Sequence, residues 1–320
     1  MLRSLLIYLS KAAWARNIVT RWKFAWRAAS RFVAGERLED AIRAVQTLNR
    51  KNINATLDLL GEHTTNIDES LRATQDILVI LDGIAQSGVK SNVSIKLTQI
   101  GLALSEDVSR ENLKRILERA KATGNYVRID MEASQCVDAT LRLLREMRDG
   151  NGFDNVGIVV QSYLYRSEED VRQLIQECTN IRLCKGAYKE PVEIAYPKKA
   201  DVDSSFDRLA QIMMDGALAS GCPVLSENGY IPPRPALATH DERRVQKAVA
   251  YAEKIGLPKN SIEFQMLYGI RRDLQERLAK QGYPVRVYVP YGTEWYPYYV
   301  RRLAERPANL WFFISNFFRK

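Results

Sequence analysis

The chain repeats one pattern eight times: a short apolar run followed by a longer amphipathic segment. Several of the runs are rich in Val and Ile, which is typical of parallel strands covered on both faces. Segments between them, such as SRENLKRILERAKAT and SEEDVRQLIQECTN, have helical spacing, with Ser at the start and acids in the first turn. We therefore predict an α/β fold of eight β–α units, a (β/α)8 TIM-like barrel. The predicted strands cover residues 55–61, 92–98, 126–132, 156–163, 181–188, 235–240, 262–268 and 285–292.

The alternative to a barrel is an open, doubly wound sheet. That fold binds dinucleotides at a glycine-rich turn after a strand, and no predicted strand of this chain is followed by such a turn. The 320 residues exceed the usual length of one domain but fit one barrel of this kind. The longest connection, KEPVEIAYPKKADVDSSF, follows the fifth predicted strand, and loops of this kind often carry function.

The N-terminal residues differ from the rest of the chain in charge. Residues 1–35 contain seven Lys or Arg and no acid, and they supply much of the net charge of +9. We predict a basic helical arm over residues 1–50 and a barrel over residues 51–320. The arm has the composition of a helix that packs on the barrel, of one that lies on an anionic membrane surface, or of a transit peptide. No run approaches the roughly 20 apolar residues that span a bilayer, and no nucleic-acid-binding signature accompanies the charge.

The cysteines and histidines predict no metal site. Cys136, Cys178, Cys184 and Cys222 form no CxxC motif and have no histidine at ligand spacing. We expect them to be buried free thiols of a protein in a reducing cytoplasm. With only two histidines, a histidine-rich metal site is excluded.

Polar side chains stand at the carboxyl ends of all eight predicted strands, where a (β/α)8 barrel keeps its chemistry. Lys96 and Asp130 follow apolar residues inside their runs, and burying such charges costs roughly several kcal/mol unless they are paired or used. They form either an internal ion pair of purely structural value or part of an active site. A lysine at a strand end is also the residue that forms a Schiff base with the substrate in some barrel enzymes, so a Schiff-base mechanism is an alternative. The strand-end residues are Glu62, Lys96, Asp130, Glu132, Gln161, Lys185, Tyr188, Thr239, His240, Gln265 and Tyr288.

The stretch RLCKGAYKEP suits a phosphate-bearing ligand. Gly186 permits a close approach of the backbone, while Arg182 and Lys185 supply positive charge. His240, at the end of the next predicted strand, could add a donor to the same anion. The alternative is that Gly186 is only a strand bulge.

The helix predicted after the eighth strand, beginning near Trp295 or Tyr296, has the features of an anion clamp. Tyr298, Arg301 and Arg302 share one of its faces, at spacings of three and four residues. Two arginines can bind a carboxylate through charge-assisted hydrogen bonds, and Tyr288 and Tyr298 would supply flat walls. Such a site fits a small amino or organic acid. The alternative is a basic helix face in water.

The motifs LDLLGEH, VSIKLTQIG, RIDMEAS, VVQSYLY, RLCKGAYKEP, LATHD, EFQMLYGI and RVYVPYG…WYPYYVRRLAER occur in this order between about residues 52 and 309. Together they resemble the bacterial monofunctional proline dehydrogenases, and the combination of KGAY with YxxRR is specific. The resemblance implies a distorted (β/α)8 barrel that binds FAD non-covalently. It also implies oxidation of L-proline to Δ1-pyrroline-5-carboxylate by hydride transfer to flavin N5, the first step of proline catabolism, with electrons passed to a membrane quinone.

The same resemblance implies roles for individual residues. Those implied for L-proline binding are Lys96, Tyr188, Leu267, Tyr288, Tyr298, Arg301 and Arg302. Those implied for FAD binding are Met131, Gln161, Arg182, Lys185, Gly186, Ala187, Thr239 and His240. Asp130 is implied to shape the site and assist proton movement, and Arg182 to act beside the reactive edge of the flavin. Glu62 is implied as a gate that pairs with Arg301.

Two positions depart from part of the family. Lys189 follows KGAY, where some members have an aromatic residue that stacks on the adenine. Asp241 follows the ATH motif, where some members have Asn. Both departures concern the adenosine contacts and not the flavin itself.

Two other functions remain open at the level of sequence. One is a Schiff-base lyase that uses Lys96 or Lys185, and the other is a basic barrel that binds an acidic partner or a membrane without catalysis. The enzyme predicted from the resemblance would be cytoplasmic, with peripheral contact to the inner face of the cell membrane, and is compatible with an oligomer.

Overall fold

Eight parallel strands close into a barrel in which each strand pairs with its neighbours in the sequence and β8 pairs with β1. The computed structural model describes residues 23–61 and 64–305. Each predicted run overlaps one strand, so the predicted (β/α)8 barrel is confirmed. The strands are β1 (Asn54–Leu59), β2 (Ser91–Ile95), β3 (Val127–Ile129), β4 (Val156–Gln161), β5 (Asn180–Cys184), β6 (Ala236–Ala238), β7 (Glu263–Leu267) and β8 (Val285–Tyr291).

Amphipathic α-helices precede, separate and follow the strands, and the segments between strands contain at least one helix each, where the chain is described. The Ser caps predicted at Ser109 and Ser167 are wrong, because Ser109 lies inside its helix and Ser167 follows the N-cap residue Arg166. The side chains that cap helices are those of Ser105 and Asn66. The helices are α1 (Lys23–Ala29), α2 (Leu38–Asn49), α3 (Ile67–Ser87), α4 (Glu106–Ala122), α5 (Val137–Arg145), α6 (Ser167–Gln176), α7 (Lys199–Ala219), α8 (Glu242–Ile255), α9 (Arg272–Lys280) and α10 (Trp295–Glu305).

Several strands end before the predicted runs do. β5 ends at Cys184, because Gly186 has a φ of 107° and turns the chain out of the extended conformation. β3 ends at Ile129, although the next N–H, that of Asp130, still donates to the carbonyl of Ile95 at 2.8 Å. The polar side chains expected at strand ends therefore lie at, or just beyond, the carboxyl end of the ladder.

The helix after β8 does not take the place that it has in a regular barrel. The outer face of β1 and β8 is covered by α2, which precedes β1 and buries Ala41 and Val45 in the main core. α10 follows β8 after residues 292–294 and begins at Trp295, as predicted. It packs instead in a second apolar cluster, the α1–α10 cluster. This cluster comprises Ala25, Ala29, Val33, Leu60, Trp295, Tyr296, Tyr298, Tyr299, Val300 and Leu303.

In the described part of the N-terminal arm, α1 packs on α10, while α2 packs on β1 and β8. The Trp26 ring lies edge-on to the Trp295 ring with centroids 5.3 Å apart. Residues 1–22 lie outside the described residues, and the predicted division of the chain at residue 50 stays a prediction. Within the described residues, no helix has both the length and the apolarity needed to cross a bilayer.

The amino-terminal mouth of the barrel is closed by residues 226–234, the basal loop. Its backbone carbonyls accept hydrogen bonds from side chains at the starts of three strands: Asn92 to Tyr230 at 2.7 Å, Asn180 to Pro232 at 2.7 Å and Arg286 to Gly229 at 2.8 Å. Among the described residues this loop covers the amino-terminal mouth, and the predicted site residues lie at the other end, at the carboxyl ends of the strands.

The four cysteines are free thiols, but the prediction that they are buried is wrong. Cys178 is exposed and the other three are half-buried. Cys178 and Cys222 lie in turns that follow helices and have positive φ angles of 53° and 56°. Cys178 is thereby turned to solvent, whereas Cys222 still packs against the edge of the main core.

Candidate active site

Three charged side chains from adjacent strands meet inside the carboxyl-terminal mouth. The Lys96 ammonium lies 3.0 Å from Asp58 Oδ1 and 3.6 Å from Asp130 Oδ2, and all three side chains are largely buried. Asp58 is on β1, Lys96 follows β2 and Asp130 follows β3. Both carboxylates hold the ammonium in an ion pair, which disfavours the neutral amine that a Schiff-base lyase needs.

Asp130 is the centre of the cluster. Its carboxylate accepts hydrogen bonds from Ser94 at 2.6 Å, from Arg182 at 2.9 Å and from the Tyr288 hydroxyl at 2.7 Å. Burial alone would raise the pKa of Asp130, but the charges of Lys96 and Arg182 and these hydrogen bonds outweigh it and lower the pKa below its ordinary value. Asp130 is therefore ionised at neutral pH.

Tyr288 is the neutral member of the cluster. Burial, and then the charges of Asp130 and Asp58, raise the pKa of its hydroxyl well above the ordinary value. The hydroxyl keeps its proton and donates a hydrogen bond to Asp130. Its oxygen accepts a hydrogen bond from the Lys96 ammonium at 3.3 Å. The Arg182 guanidinium lies over the Tyr288 ring, 5.5 Å from its centroid. The Tyr288 ring is thus held by hydrogen bonds at its hydroxyl and by the Arg182 guanidinium on one face.

A buried polar chain continues from Arg182 to the far side of the barrel. Arg182 Nε donates to the side-chain oxygen of Gln265, whose amide donates in turn to Glu263. Glu263 accepts from Arg286 Nε at 2.9 Å. Both partners of this last pair are buried near the amino-terminal mouth. Arg182 is therefore held rigidly from below as well as by Asp130.

The opposite wall of the mouth contains the predicted flavin contacts at the ends of β4 and β6. Gln161 donates to the carbonyl of Met131 at 3.2 Å, while its own Oε1 is buried and has no hydrogen-bond partner among the described residues. His240 Nε2 accepts from the backbone N–H of Leu267 at 2.9 Å. In the neutral imidazole the proton is then on Nδ1. The Thr239 hydroxyl accepts from the N–H of Asp241 at 3.1 Å.

Lys185 is enclosed by two carboxylates. Its ammonium lies 2.6 Å from Asp203 Oδ1, on α7, and 2.9 Å from Asp241 Oδ2, before α8. Burial alone would raise the pKa values of both aspartates, but hydrogen bonds and charges from Lys185 and Lys199 outweigh it and lower them. The cation predicted to contact a phosphate is thus partly neutralised in the protein.

The KGAY turn has one tightly packed and one open side. A side chain at Gly186 would meet the Tyr163 ring, with the nearest ring carbon 2.4 Å from a Cβ built there. Gly186 is therefore required by its φ and by this contact, and it is not a strand bulge, since it lies beyond the ladder. Ala187 and Tyr188 are exposed.

On α10, Tyr298 is buried in the α1–α10 cluster, while Arg301 and Arg302 are half-buried. The Arg302 guanidinium lies over the Tyr298 ring at 5.1 Å. The face is therefore not a fully solvated basic surface. That the two arginines bind a carboxylate stays a prediction, and Glu62, the predicted gate, lies outside the described residues.

The structure thus gathers Lys96, Asp130, Arg182 and Tyr288 in direct contact and places the other predicted residues on the surrounding strand ends and on α10. Residues that contact the predicted ones but were not themselves predicted include Asp58, Ser94 and Asp203. Asp58 had a signal, since it is a charge inside the apolar run ATLDLLG. Among the described residues, no group of His, Cys, Asp and Glu side chains could hold a metal ion.

Comparisons with known proteins match nearly the whole chain. A family model described as proline dehydrogenase matches residues 41–314. The chain is 42% identical to the proline dehydrogenase of Deinococcus radiodurans over 295 residues, which are 91% of this chain and 90% of the relative. It is 38% identical to proline dehydrogenase 1 of Bacillus subtilis over 323 aligned residues that cover 100% of both.

Solved structures with the same fold are longer proteins. Proline utilization A from Bdellovibrio bacteriovorus, inactivated by N-propargylglycine, superposes with a TM-score of 0.78 at 27% identity. The match covers 88% of this chain and 33% of that one. Proline utilization A from Bradyrhizobium japonicum superposes with a TM-score of 0.71 at 21% identity, and this likeness concerns the fold alone.

Proposed function

The chain belongs to the proline dehydrogenase family, and on that premise we propose that it oxidises L-proline to Δ1-pyrroline-5-carboxylate with non-covalently bound FAD and a membrane quinone as electron acceptor. As a member of this family it is an enzyme of proline catabolism. The observation that carries the finer proposal is the buried cluster of Lys96, Asp130, Arg182 and Tyr288 at the carboxyl-terminal mouth of the barrel.

The residues of the mouth fit a flavin. Gln161 Oε1 is a buried acceptor that lacks a partner among the described residues, as a contact to a ring N–H would require. Arg182 offers a buried positive charge on the neighbouring strand β5, and Lys185 with Gly186 offers a cation and a closely approaching backbone. The residues that would hold FAD are Met131, Gln161, Arg182, Lys185, Gly186, Ala187, Thr239 and His240. Bound FAD would supply the acceptor for the hydride that leaves C5 of proline.

The substrate would be oriented by its carboxylate. Lys96 provides a positive charge on the barrel side, and Arg301 and Arg302 provide two more on α10, so a carboxylate between them would be held from both sides. Tyr288, Tyr298, Leu267 and Tyr188 would enclose the ring. Glu62 would close the pocket by pairing with Arg301.

Asp130 has a specific part in this proposal. Because its pKa is lowered, it is a weak proton acceptor at neutral pH, and its main role is to hold Arg182, Lys96 and Tyr288 in position. The proton of the substrate amine would pass to solvent or to this carboxylate before hydride transfer.

An absorbance spectrum of the purified protein tests the proposal. We expect flavin bands that bleach when proline is added without oxygen. A colourless protein, or flavin that proline does not reduce, would contradict it. A lysine trapped by borohydride with substrate would instead establish the Schiff-base lyase.

Substitutions on α10 test the carboxylate clamp. We expect Arg301→Met and Arg302→Met each to weaken proline binding by about 2–4 kcal/mol, the order for losing a buried charged contact. The flavin should remain bound, which its absorbance reports. An unchanged KM for proline in both variants would remove the clamp from the proposal.

A further inference from the structure

The loop between β5 and α7 presents large apolar side chains to solvent at the open mouth. Val192 and Ile194 are 59% and 37% exposed, and Tyr188 and Tyr165 beside them are similarly exposed. We refer to Tyr165, Tyr188, Val192 and Ile194 as the rim patch. Because it follows β4 and β5, the patch lies at the carboxyl ends of the strands, next to the candidate active site.

The rim patch is held in its exposed position by the backbone. The N–H of Tyr165 donates to the carbonyl of Ile194 at 3.0 Å, and the Tyr165 hydroxyl donates to the carbonyl of Val192 at 2.9 Å. The Tyr165 ring lies edge-on to Tyr196 at 4.6 Å. The loop is anchored to the barrel through its carbonyls, and its apolar side chains point outward to solvent.

The loop that carries the rim patch has two exposed lysines and one exposed acid. Lys189 and Lys198 are exposed at the two ends of the loop. Glu190 is directed inward, where its carboxylate accepts from the N–H and hydroxyl of Ser134 at 2.8 and 2.6 Å. The exposed acid of the loop is Glu193. An apolar tip flanked on both sides by lysines is the pattern of a segment that enters the headgroup region of an anionic bilayer.

We propose that the rim patch docks this protein on an anionic lipid bilayer, with Val192 and Ile194 in the headgroup boundary and Lys189 and Lys198 against lipid phosphates. The inference rests on the proposed function in one respect: docking by this loop turns the open mouth toward the membrane that holds the quinone. A stable protein partner fits less well, because such an interface buries about 800 Å² on each side, more than these few side chains present.

The experiment measures partition of the whole chain onto vesicles of phosphatidylcholine with and without phosphatidylglycerol. Val192→Ser with Ile194→Ser removes the apolar tip, and Lys189→Gln with Lys198→Gln removes the flanking charge. The matched control is Val79→Ser with Leu218→Ser, two residues that are 49% and 41% exposed on α3 and α7. Every variant keeps residues 1–22, so a difference in partition between the loop variants and the unmodified protein is due to the loop substitutions.

We expect the Val192/Ile194 variant to partition about tenfold more weakly, the order for withdrawing two partly buried aliphatic side chains. The lysine variant should lose the preference for phosphatidylglycerol, and the Val79/Leu218 variant should partition like the unmodified protein. Partition of the Val192/Ile194 variant equal to that of the unmodified protein, or failure of the unmodified protein to bind either vesicle, would overturn the proposal.

Two further readouts separate this proposal from the proposed function. Bleaching of flavin by proline, and turnover with a water-soluble acceptor dye, should be unchanged in the Val192/Ile194 variant, while its turnover with vesicle-bound quinone should fall. Absence of bleaching in every variant would refute the proposed function and leave the vesicle result to decide docking by itself.

Discussion

At the scale of single residues, the charge state of Asp130 leads to a pH-dependent prediction. Its folded pKa lies below the ordinary value of 3.8, so its ion pairs stabilise the fold above that value and are lost as the pH falls through the lower, folded one. We expect Asp130→Asn to lower the free energy of unfolding by about 3 kcal/mol, because it leaves Arg182 buried without a carboxylate. Denaturation at several pH values should show this deficit constant between about pH 5 and pH 8 and smaller below about pH 4.

The same substitution tests the role of Asp130 in turnover. If the carboxylate positions its neighbours and stays ionised, kcat/KM of Asp130→Asn should fall by a similar factor at every pH in that range. If the wild-type plot of kcat/KM against pH shows an ionisation at acid pH that is absent in Asp130→Asn, Asp130 is the base instead. Asp58→Asn is a useful comparison, because it removes the other carboxylate from Lys96 and leaves Arg182 paired.

Asp241 leads to a second prediction, on cofactor affinity. Its carboxylate lies 2.9 Å from the Lys185 ammonium, where some family members have an uncharged Asn. Asp241→Asn removes one of the two carboxylates that neutralise Lys185, so the ammonium should attract a phosphate more strongly. We expect FAD binding to the apoprotein to tighten by about 0.5–1 kcal/mol, the order for a partly exposed ion pair. Flavin fluorescence titration measures this affinity, with the exposed Asp201→Asn as control. Weaker binding would mean that Asp241 itself contacts the cofactor.

At the level of residues, the sequence marks a position where a charge interrupts an apolar run. Lys96, Asp130 and Asp58 all have this signal, since their neighbours are apolar, although only the first two were predicted site residues. Asp203 could not have been found, since it is one acid among several on an ordinary amphipathic helix. Its contact with Lys185 depends on the rotation of α7 about its own axis, which hydrophobic spacing leaves open.

At the scale of elements, the eight strands and the start of α10 were predictable because hydrophobic runs and their periodicity are local signals. The neighbours of each helix were not. Periodicity shows that α2 has a buried face, but not that it covers β1 and β8 in place of the helix after β8. The same holds for α10, whose buried aromatic face meets α1 and not the main core.

This arrangement makes α1 a determinant of substrate binding. α10 carries the predicted clamp and packs in a cluster separate from the main core, with the Trp26 ring against Trp295. We expect Trp26→Ala to loosen α10 and raise the KM for proline by about fivefold, the order for losing about 1 kcal/mol of aromatic contact. Flavin absorbance and kcat should change little.

The control for this prediction is Trp26→Phe, which keeps an aromatic ring against Trp295 and should restore most of the affinity. An increase in KM that the Phe variant does not reverse would argue against aromatic packing as the cause. A loss of overall stability with unchanged KM would show that α1 supports the fold without positioning α10.

At the scale of the whole molecule, the barrel has a stabilising end and a reactive end. The basal loop and the Glu263–Arg286 pair close the amino-terminal mouth, while the charged cluster and α10 surround the carboxyl-terminal one. Both ends of the barrel contain buried charged side chains, but the partners of these side chains differ. At the amino-terminal end the polar groups bond to one another and to the backbone, whereas at the other end Lys96 and Arg182 border the space open to a ligand.

This division predicts opposite effects for two buried arginines. Arg286→Leu leaves the Glu263 carboxylate buried without its ion-pair partner, so we expect the free energy of unfolding to fall by about 3–5 kcal/mol. The KM for proline should change less than about twofold, because the substitution lies at the end of the barrel where sequence differences affect stability more than chemistry. The matched surface substitution is Lys51→Met, which breaks an exposed pair with Glu276 and should cost less than about 1 kcal/mol. Because Glu263 also connects to Arg182 through Gln265, a large rise in KM with little loss of stability would show that this polar chain tunes the active site from the opposite end of the barrel.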